Sequence, residues 1–381
     1  MSALPSFIVL YAAMYAAYGV ASPFLPAFVS ERGLPPEQLG LVLAAGTAVR
    51  LLSAPVAGRI GDLMHALRIV LVVCTALAAA VSVGYLPARG FWIFLALTLF
   101  HAAALAPMTV LADALCLGAA SRHPRFEYGW ARGTGSAAFI VGTLLSGQAI
   151  GAFGLEAIIW SQAGLLFLAA CAGLFVPELI HDRAREEVRA PARGVVVLLR
   201  IPAFRNLVLV AALILGSHAM HDAFAMIRWR AAGVSPATAS LLWSESVAAE
   251  VLVFFAIGPA LIARLTPAGA IALAALAGVL RWTVMAQTSD VIALALVQPL
   301  HGITFALLHL ACMRLIARTV PDGLEGTAQA IYATVGIGAA TALITLLSGM
   351  LYSGLGARGF LAMAALCALA LPFTYKLRHA S

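Results

Sequence analysis

Long apolar runs separated by short polar gaps make up most of this chain. Cutting at charges, glycines and prolines leaves twelve of them, at 6–29, 37–57, 67–86, 91–116, 127–151, 156–176, 204–227, 237–261, 267–286, 290–315, 327–352 and 356–376. Each is near the ~20 residues a helix needs to cross the hydrocarbon of a bilayer. The one long polar stretch, 177–203, mixes Arg183, Arg185, Arg189 and Arg193 with Glu178, Asp182, Glu186 and Glu187, and it divides six runs from six. The pattern predicts an all-α polytopic membrane protein with twelve transmembrane helices in two pseudo-symmetric six-helix bundles. Residues 1–176 form the N-terminal bundle, 177–203 a cytosolic linker and 204–381 the C-terminal bundle. The first run has no basic flank and no clear cleavage site, and reads as a span rather than a removed signal.

Basic residues set the orientation, because positive loops stay inside. With both termini cytoplasmic, the inner segments hold 15 of the 23 Lys and Arg: Arg59, Arg68, Arg122, Arg125, the four linker arginines, Arg200, Arg205, Arg264, Arg314, Arg318, Lys376 and Arg378. The outer segments hold Arg32, Arg89, Arg228, Arg230 and Arg358, and Arg50, Arg132 and Arg281 lie inside spans. The halves also repeat. Gly33-x-x-Pro36 matches Gly233-x-x-Pro236, Gly58 matches Gly258, and Ser146-Gly147 with Gly154 returns as Ser348-Gly349 with Gly356. A duplicated six-helix unit is a transporter signature.

Composition narrows the classes. Apolar residues make up 63% and charged residues 10%, against about 25% charged in a soluble domain. A soluble enzyme, a nucleic-acid module and a disordered chain are excluded, since a soluble exterior must carry charge. The net charge of +7 is spread over short gaps and forms no nucleic-acid patch. All five cysteines (Cys74, Cys116, Cys171, Cys312, Cys367) lie in apolar runs without a CxxC pair, which argues against disulfides and metal. No cofactor is expected, and no ATP-binding motif is present, so transport would draw on a gradient.

Gly58-Arg59-Ile60-Gly61-Asp62 ahead of Arg68 resembles the loop between spans two and three of the major facilitator superfamily, with Leu63 where that pattern has Arg. Further stretches are similar to the phenylpropionate permease group and, more distantly, to lactose permease. They are Pro23-Phe24-Leu25-Pro26; Tyr128-Gly129-Trp130-Ala131-Arg132-Gly133; Leu242-Trp243 with Ala249-Glu250-Val251; Arg281-Trp282; Leu300-His301-Gly302 with Phe305 and His309; and Ala328-Gln329-Ala330-Ile331-Tyr332. The resemblance implies a secondary transporter, with Asp113 and Arg132 at positions where lactose permease has a substrate-contacting Glu–Arg pair. Arg281 and His301 have the separation of an Arg and a His in its proton-coupling network. Gln298 and Thr304 replace that network's Lys and Glu, so the proton carrier must differ.

A charge at mid-bilayer costs roughly 2.5–3.5 kcal/mol on insertion scales, so each one is informative. Asp113 and Arg132 are expected to lie at one depth and pair, with Arg132 binding an anionic substrate. Tyr11, Tyr15 and Tyr18 share a face of the first span and suit an aromatic or sugar ring, or simple packing. Glu245 and Glu250 point to different sides of the eighth span. They are candidate proton carriers, with Asp222, His218, His301 and Arg281. His218 and Asp222 are i,i+4 neighbours, with His221 beside them, and Arg281 is expected to pair with Asp222 or Glu245. Gln298, His301, Phe305 and His309 fall on one face, the first three as substrate contacts. Asp62, Arg68, Arg50 and Gly58 are gating candidates, with Asp62 and Arg68 flanking a glycine turn and Arg50 reaching Asp62 or Asp113.

The expected function is proton-coupled symport of an organic, aromatic or arylalkanoic, carboxylate by alternating access. The setting is the inner membrane, and the protein is a monomer whose partners are a small-molecule substrate, protons and lipid. A sugar or nucleoside symporter and a proton-driven drug exporter are the alternatives.

Overall fold

The computed structural model describes residues 4–121, 126–178 and 192–378. Among these every regular element is helical and no strand occurs. Residues 179–191 of the linker lie outside the described residues, as do Arg122 and Arg125. Among the described residues, ten helical stretches are long and apolar enough to cross a bilayer. Two of them, Pro236–Gln287 and Glu325–Leu377, run 52 and 53 residues. Each is interrupted, at Thr266 and at Gly356, and each is long enough for two crossings. The twelve expected spans are accommodated in this way.

The chain divides into two compact units. The first is Met1–Arg185 with Ser235–Leu241, and the second is Glu186–Val234 with Leu242–Ser381. The first contains α1 (Leu4–Ala21), α2 (Leu25–Glu31), α3 (Pro36–Met64), α4 (Leu67–Gly84), α5 (Phe91–Ala120), α6 (Tyr128–Phe153) and α7 (Glu156–Gly173). The second contains α8 (Ala192–Arg200), α9 (Pro202–Gly216), α10 (Ala219–Ala231) and most of α11 (Pro236–Leu252), followed by α12 (Gly258–Gln287), α13 (Val291–Val297), α14 (Leu308–Thr319), α15 (Glu325–Ile331), α16 (Ala340–Leu355) and α17 (Phe360–Leu377). Three π-helical segments interrupt the second unit, at Val253–Ile257, Gly302–Leu307 and Tyr332–Ala339.

In the first unit α1 packs on α6 and α7, α3 on α5, and α4 on α5 and α7. The α1–α6 approach depends on small residues. A Cβ on Gly19 would lie 2.1 Å from the Phe139 carbonyl oxygen, and one on Gly142 would lie 2.6 Å from that of Ala16. Helices without a hydrophobic drive between them associate through such close backbone contact. Thr143 adds a hydroxyl bond of 2.9 Å to the Gly19 carbonyl.

The repeat seen in the sequence has a backbone counterpart. Gly33 and Gly233 both adopt positive φ, +96° and +84°, and each is followed three residues later by a proline that opens a helix. The motif at Gly58–Asp62 differs from expectation. Helix α3 continues through Gly58 and Gly61 to Met64, and the left-handed residue that ends it is His65, φ 50°. The glycines there are helical; Gly61 instead admits the Leu67 side chain, 2.6 Å from where its Cβ would stand. Arg68 caps the arrangement from α4. Its backbone N–H bonds Glu178 Oε1 at 3.1 Å, and its guanidinium donates to the Val176 carbonyl at 3.3 Å.

Replacing Gly33 or Gly233 by alanine forces a Cβ into the left-handed region, at a cost of about 1 kcal/mol. Each variant is expected to unfold earlier in a detergent thermal melt. Gly151→Ala, at an open helical position, serves as the control and is expected to be neutral or stabilising.

Candidate functional site

Three helices of the first unit converge on Asp113. Tyr11, Tyr15 and Tyr18 line one side of α1. The rings of Tyr11 and Tyr15 stack at 5.9 Å, and those of Tyr15 and Tyr18 meet edge-on at 5.8 Å. Tyr128 and Arg132, four residues apart on α6, share a face. The Tyr11 hydroxyl donates to Asp113 Oδ1 at 2.5 Å, and the Tyr128 hydroxyl donates to the same oxygen at 3.0 Å. Tyr18 donates to the Leu105 carbonyl at 3.1 Å. The Arg132 guanidinium lies over the Tyr15 ring, 4.8 Å from its centre. Gly135 leaves the space for that ring, since a Cβ there would come within 2.9 Å of it.

The expected Asp113–Arg132 ion pair is therefore not formed. Two phenols donate to one oxygen of the carboxylate, and the arginine lies over an aromatic ring, where a guanidinium is held by cation–π attraction. Arg50 is exposed on α3 and makes no ion pair with Asp113. Tyr128 joins the site beyond the residues expected, and its position one turn before Arg132 is the sequence signal for it.

The second unit gathers its ionisable groups around Arg281, which is wholly buried. Its guanidinium bonds Gln298 Oε1 at 3.0 Å and His301 Nδ1 at 3.1 Å, and lies 4.5 Å from the Trp282 ring centre. His301 Nε2 stands 3.4 Å from Glu250 Oε2. Gln298 Nε2 reaches His221 Nε2 at 3.3 Å, and His221 Nδ1 reaches Asp222 Oδ1 at 3.2 Å. Arg281 thus pairs directly with neither Asp222 nor Glu245, contrary to expectation; its partners are the neutral side chains of Gln298 and His301. Asp222 is joined to His221 rather than to His218. The His218 ring turns toward His301 and Trp282, 5.0 and 5.3 Å away. His301 and Phe305 stack at 5.5 Å.

His309 leaves the face it was expected to share. The π-helical turn at Gly302–Leu307 inserts an extra residue, which rotates everything beyond it by about 100° relative to a 3.6-residue helix. His309 Nδ1 consequently meets the Tyr332 hydroxyl at 3.1 Å, with Phe254 edge-on at 6.0 Å. A second residue the sequence did not single out is Trp282. Its indole N–H donates to Ser217 Oγ at 2.8 Å, which fixes the ring beneath Arg281 and His218.

Set against known proteins, residues 5–362 match the model of the MFS_1 like family. The chain belongs to that family, and so to the major facilitator superfamily. As a superfamily member it is a membrane transporter of a small molecule and not an enzyme. It is 32% identical over 362 residues to the probable 3-phenylpropionic acid transporter of Escherichia coli (strain K12), covering 93% of this chain and 92% of that one. Among solved structures it superposes on the nucleoside transporter NupG with a TM-score of 0.85 at 14% identity, covering 100% of this chain and 99% of the other. It also superposes on a bacterial homologue of the human lysosomal transporter Spinster with a TM-score of 0.74 at 14% identity, over 99% and 96%. At these identities the structural matches establish the transporter fold alone.

Ser217→Ala would strand the buried Trp282 N–H. The expected cost is about 1–3 kcal/mol for an unsatisfied buried donor, read as a lowered unfolding midpoint in detergent; an unchanged midpoint would show that the bond does not hold the ring.

Proposed function

We propose that the protein carries an arylalkanoic carboxylate of the 3-phenylpropionate kind into the cell together with a proton, by alternating access, across the inner membrane with both termini cytoplasmic. One observation carries the anion half of this reading. Among the described residues Arg132 has no carboxylate on it inside its span, and Asp113 bonds Tyr11 and Tyr128 instead. A guanidinium stacked on Tyr15 keeps its N–H edge for a bidentate carboxylate, and the tyrosine ladder of α1 offers stacking partners for the aryl ring. The name of the 32% identical relative supports the same substrate class.

The proton half rests on the distribution of charge. Leaving aside the three residues at either end of each span, the first unit has the cations Arg50 and Arg132 and one carboxylate, Asp113; the second has Arg281 and the carboxylates Asp222, Glu245 and Glu250. The first set has an excess of positive charge to offer an anion. The second has carboxylates to spare for a proton.

Purified protein in liposomes is expected to accumulate labelled 3-phenylpropionate only when the outside is acidic. Equal accumulation at acidic and alkaline external pH would remove proton coupling. Arg132→Ala is expected to weaken binding of the acid roughly a hundredfold, about 3 kcal/mol at 1.4 kcal/mol per decade. Undiminished affinity in that variant would remove the anion site.

The tyrosines give a less obvious expectation. In the Tyr11→Phe/Tyr128→Phe double variant Asp113 loses both donors and becomes free to capture Arg132. Affinity for the acid is then expected to fall although neither charged residue has been altered, and restoring either phenol should recover part of it. Calorimetric titration of the three variants in detergent measures this; equal affinities would show that the phenols do not keep the arginine free.

A further inference from the structure

The hydrogen bonds around Arg281 have directions that chemistry forces. A guanidinium only donates. His301 Nδ1, 3.1 Å from it, must therefore accept, so the single hydrogen of this neutral imidazole is on Nε2 and points at Glu250 Oε2, 3.4 Å away. The other side follows the same logic. Gln298 Oε1 accepts from Arg281 at 3.0 Å, which leaves the amide N–H groups facing His221 Nε2 at 3.3 Å and the Leu242 carbonyl at 3.4 Å. His221 Nε2 accepts, its hydrogen is on Nδ1, and it donates to Asp222 Oδ1 at 3.2 Å. Two arms thus run outward from one buried cation. Each passes through a neutral imidazole, in opposite tautomers, and ends on a carboxylate.

This directionality limits where a proton can go. A second proton on His301 would set an N–H against Arg281, and one on His221 would set an N–H against the Gln298 amide. Neither the amide nor the guanidinium passes a proton between the arms. Only the two carboxylates have lone pairs to spare. Asp222 is 58% exposed, whereas Glu250 is 26% exposed and its partner His301 16%, so Glu250 is the more enclosed of the two carboxylates.

We propose that Glu250 is the residue that takes up and releases the coupled proton, and that His301 is a positioning residue, held by Arg281 as the Nε2–H tautomer that orients Glu250. This rests on the proton-symport reading above. A proton from water on the loading side adds to a Glu250 oxygen and forms the neutral acid, and the His301 N–H stays on the carbonyl oxygen. On the releasing side the same O–H bond breaks and the proton returns to water. The ionisable side chains of the spans around Glu250 include Glu245 on α11, His301 and His309 on either side of the second π segment, Arg281 on α12, and His218, His221 and Asp222 around the start of α10, and His309 lies within electrostatic reach of Glu250. Of these, His301 alone contacts the Glu250 carboxylate among the described residues.

The test uses the whole protein in liposomes with labelled 3-phenylpropionate, comparing exchange at equal pH with accumulation driven by a pH gradient. Glu250→Gln is expected to bring the accumulation ratio to one while exchange stays measurable. His301→Gln is the deciding variant. Its amide can accept from Arg281 and donate to Glu250, so accumulation is expected to survive, whereas His301→Leu is expected to lose it. Loss of accumulation in His301→Gln with exchange intact would overturn the proposal, because a non-titrating mimic would then not suffice. A substrate-free measurement separates this from a wrong cargo. Nitrogen NMR of histidine-labelled protein is expected to show His301 neutral with its hydrogen on Nε2 and His221 neutral with its hydrogen on Nδ1. An imidazolium at His301 in the working pH range would overturn the proposal even if 3-phenylpropionate proved not to be the cargo.

Discussion

Charge is expensive in hydrocarbon, and the way this chain accommodates it governs the rest of its chemistry. The two side chains that matter most, Asp113 and Arg281, make their hydrogen bonds with neutral groups. Asp113 takes two phenols, and Arg281 takes an amide oxygen and an imidazole nitrogen. A direct ion pair would have satisfied each charge too. Breaking a buried pair costs about 3–5 kcal/mol, however, so a group locked in one would be poorly placed to change partners during a cycle. Neutral donors and acceptors offset part of the desolvation cost, and on the proposed mechanism they leave Arg132 and Glu250 to respond to cargo and proton. The absence of an Asp113–Arg132 bond is thus the feature of the first unit that makes an anion site plausible in physical terms.

Backbone irregularity serves the same end in the second unit. Each π-helical segment breaks the 3.6-residue register of a span and turns the side chains beyond it. The segment at Gly302–Leu307 begins just after His301 and sends His309 to Tyr332 instead of to Arg281. The segment at Val253–Ile257 begins just after Glu250, and the two pack together with Gly302 seated on the Ala249 carbonyl, 2.6 Å from where a Cβ would stand. Short π segments recur at functional positions in helices. Here two of them adjoin the two residues of the Glu250–His301 contact.

Much of the architecture was legible because it follows from period and length. Apolar runs of bilayer length marked the spans, and Gly33-x-x-Pro36 and Gly233-x-x-Pro236 marked turns that share positive φ. The tyrosine face of α1 also followed from spacing alone. What could not be read was choice among partners. Asp113 had several donors within reach in principle, and only the packing of α1 against α6, set by Gly19, Gly135 and Gly142, brings Tyr11 and Tyr128 to it ahead of Arg132. A π insertion is likewise silent in a pattern read at 3.6 residues per turn, which is why His309 fell on the wrong face. The glycines of 58–62 read as a turn, but nothing local breaks α3 there, and it runs on until His65 adopts the left-handed conformation.

The in-span charges also bear on why cargo and proton would have to travel together. Leaving aside the three residues at either end of each span, three cations, Arg50, Arg132 and Arg281, stand against four carboxylates, Asp113, Asp222, Glu245 and Glu250, so the interior of the spans holds one excess negative charge in the empty carrier. A carboxylate substrate alone would double that excess and raise the cost of any movement that carries the site through low dielectric. A proton alone would cancel the excess and leave Arg132 without an anion. One of each restores the charge of the empty carrier, so the loaded and empty forms face similar electrostatic barriers while the singly loaded form with anion alone does not. On the proposed mechanism, coupling needs no proton path from Glu250 to Arg132. It needs only that the sum of charges in the spans be the same at the start and the end of each crossing, and a half-buried carboxylate oriented by a fixed imidazole is a suitable place to make the adjustment.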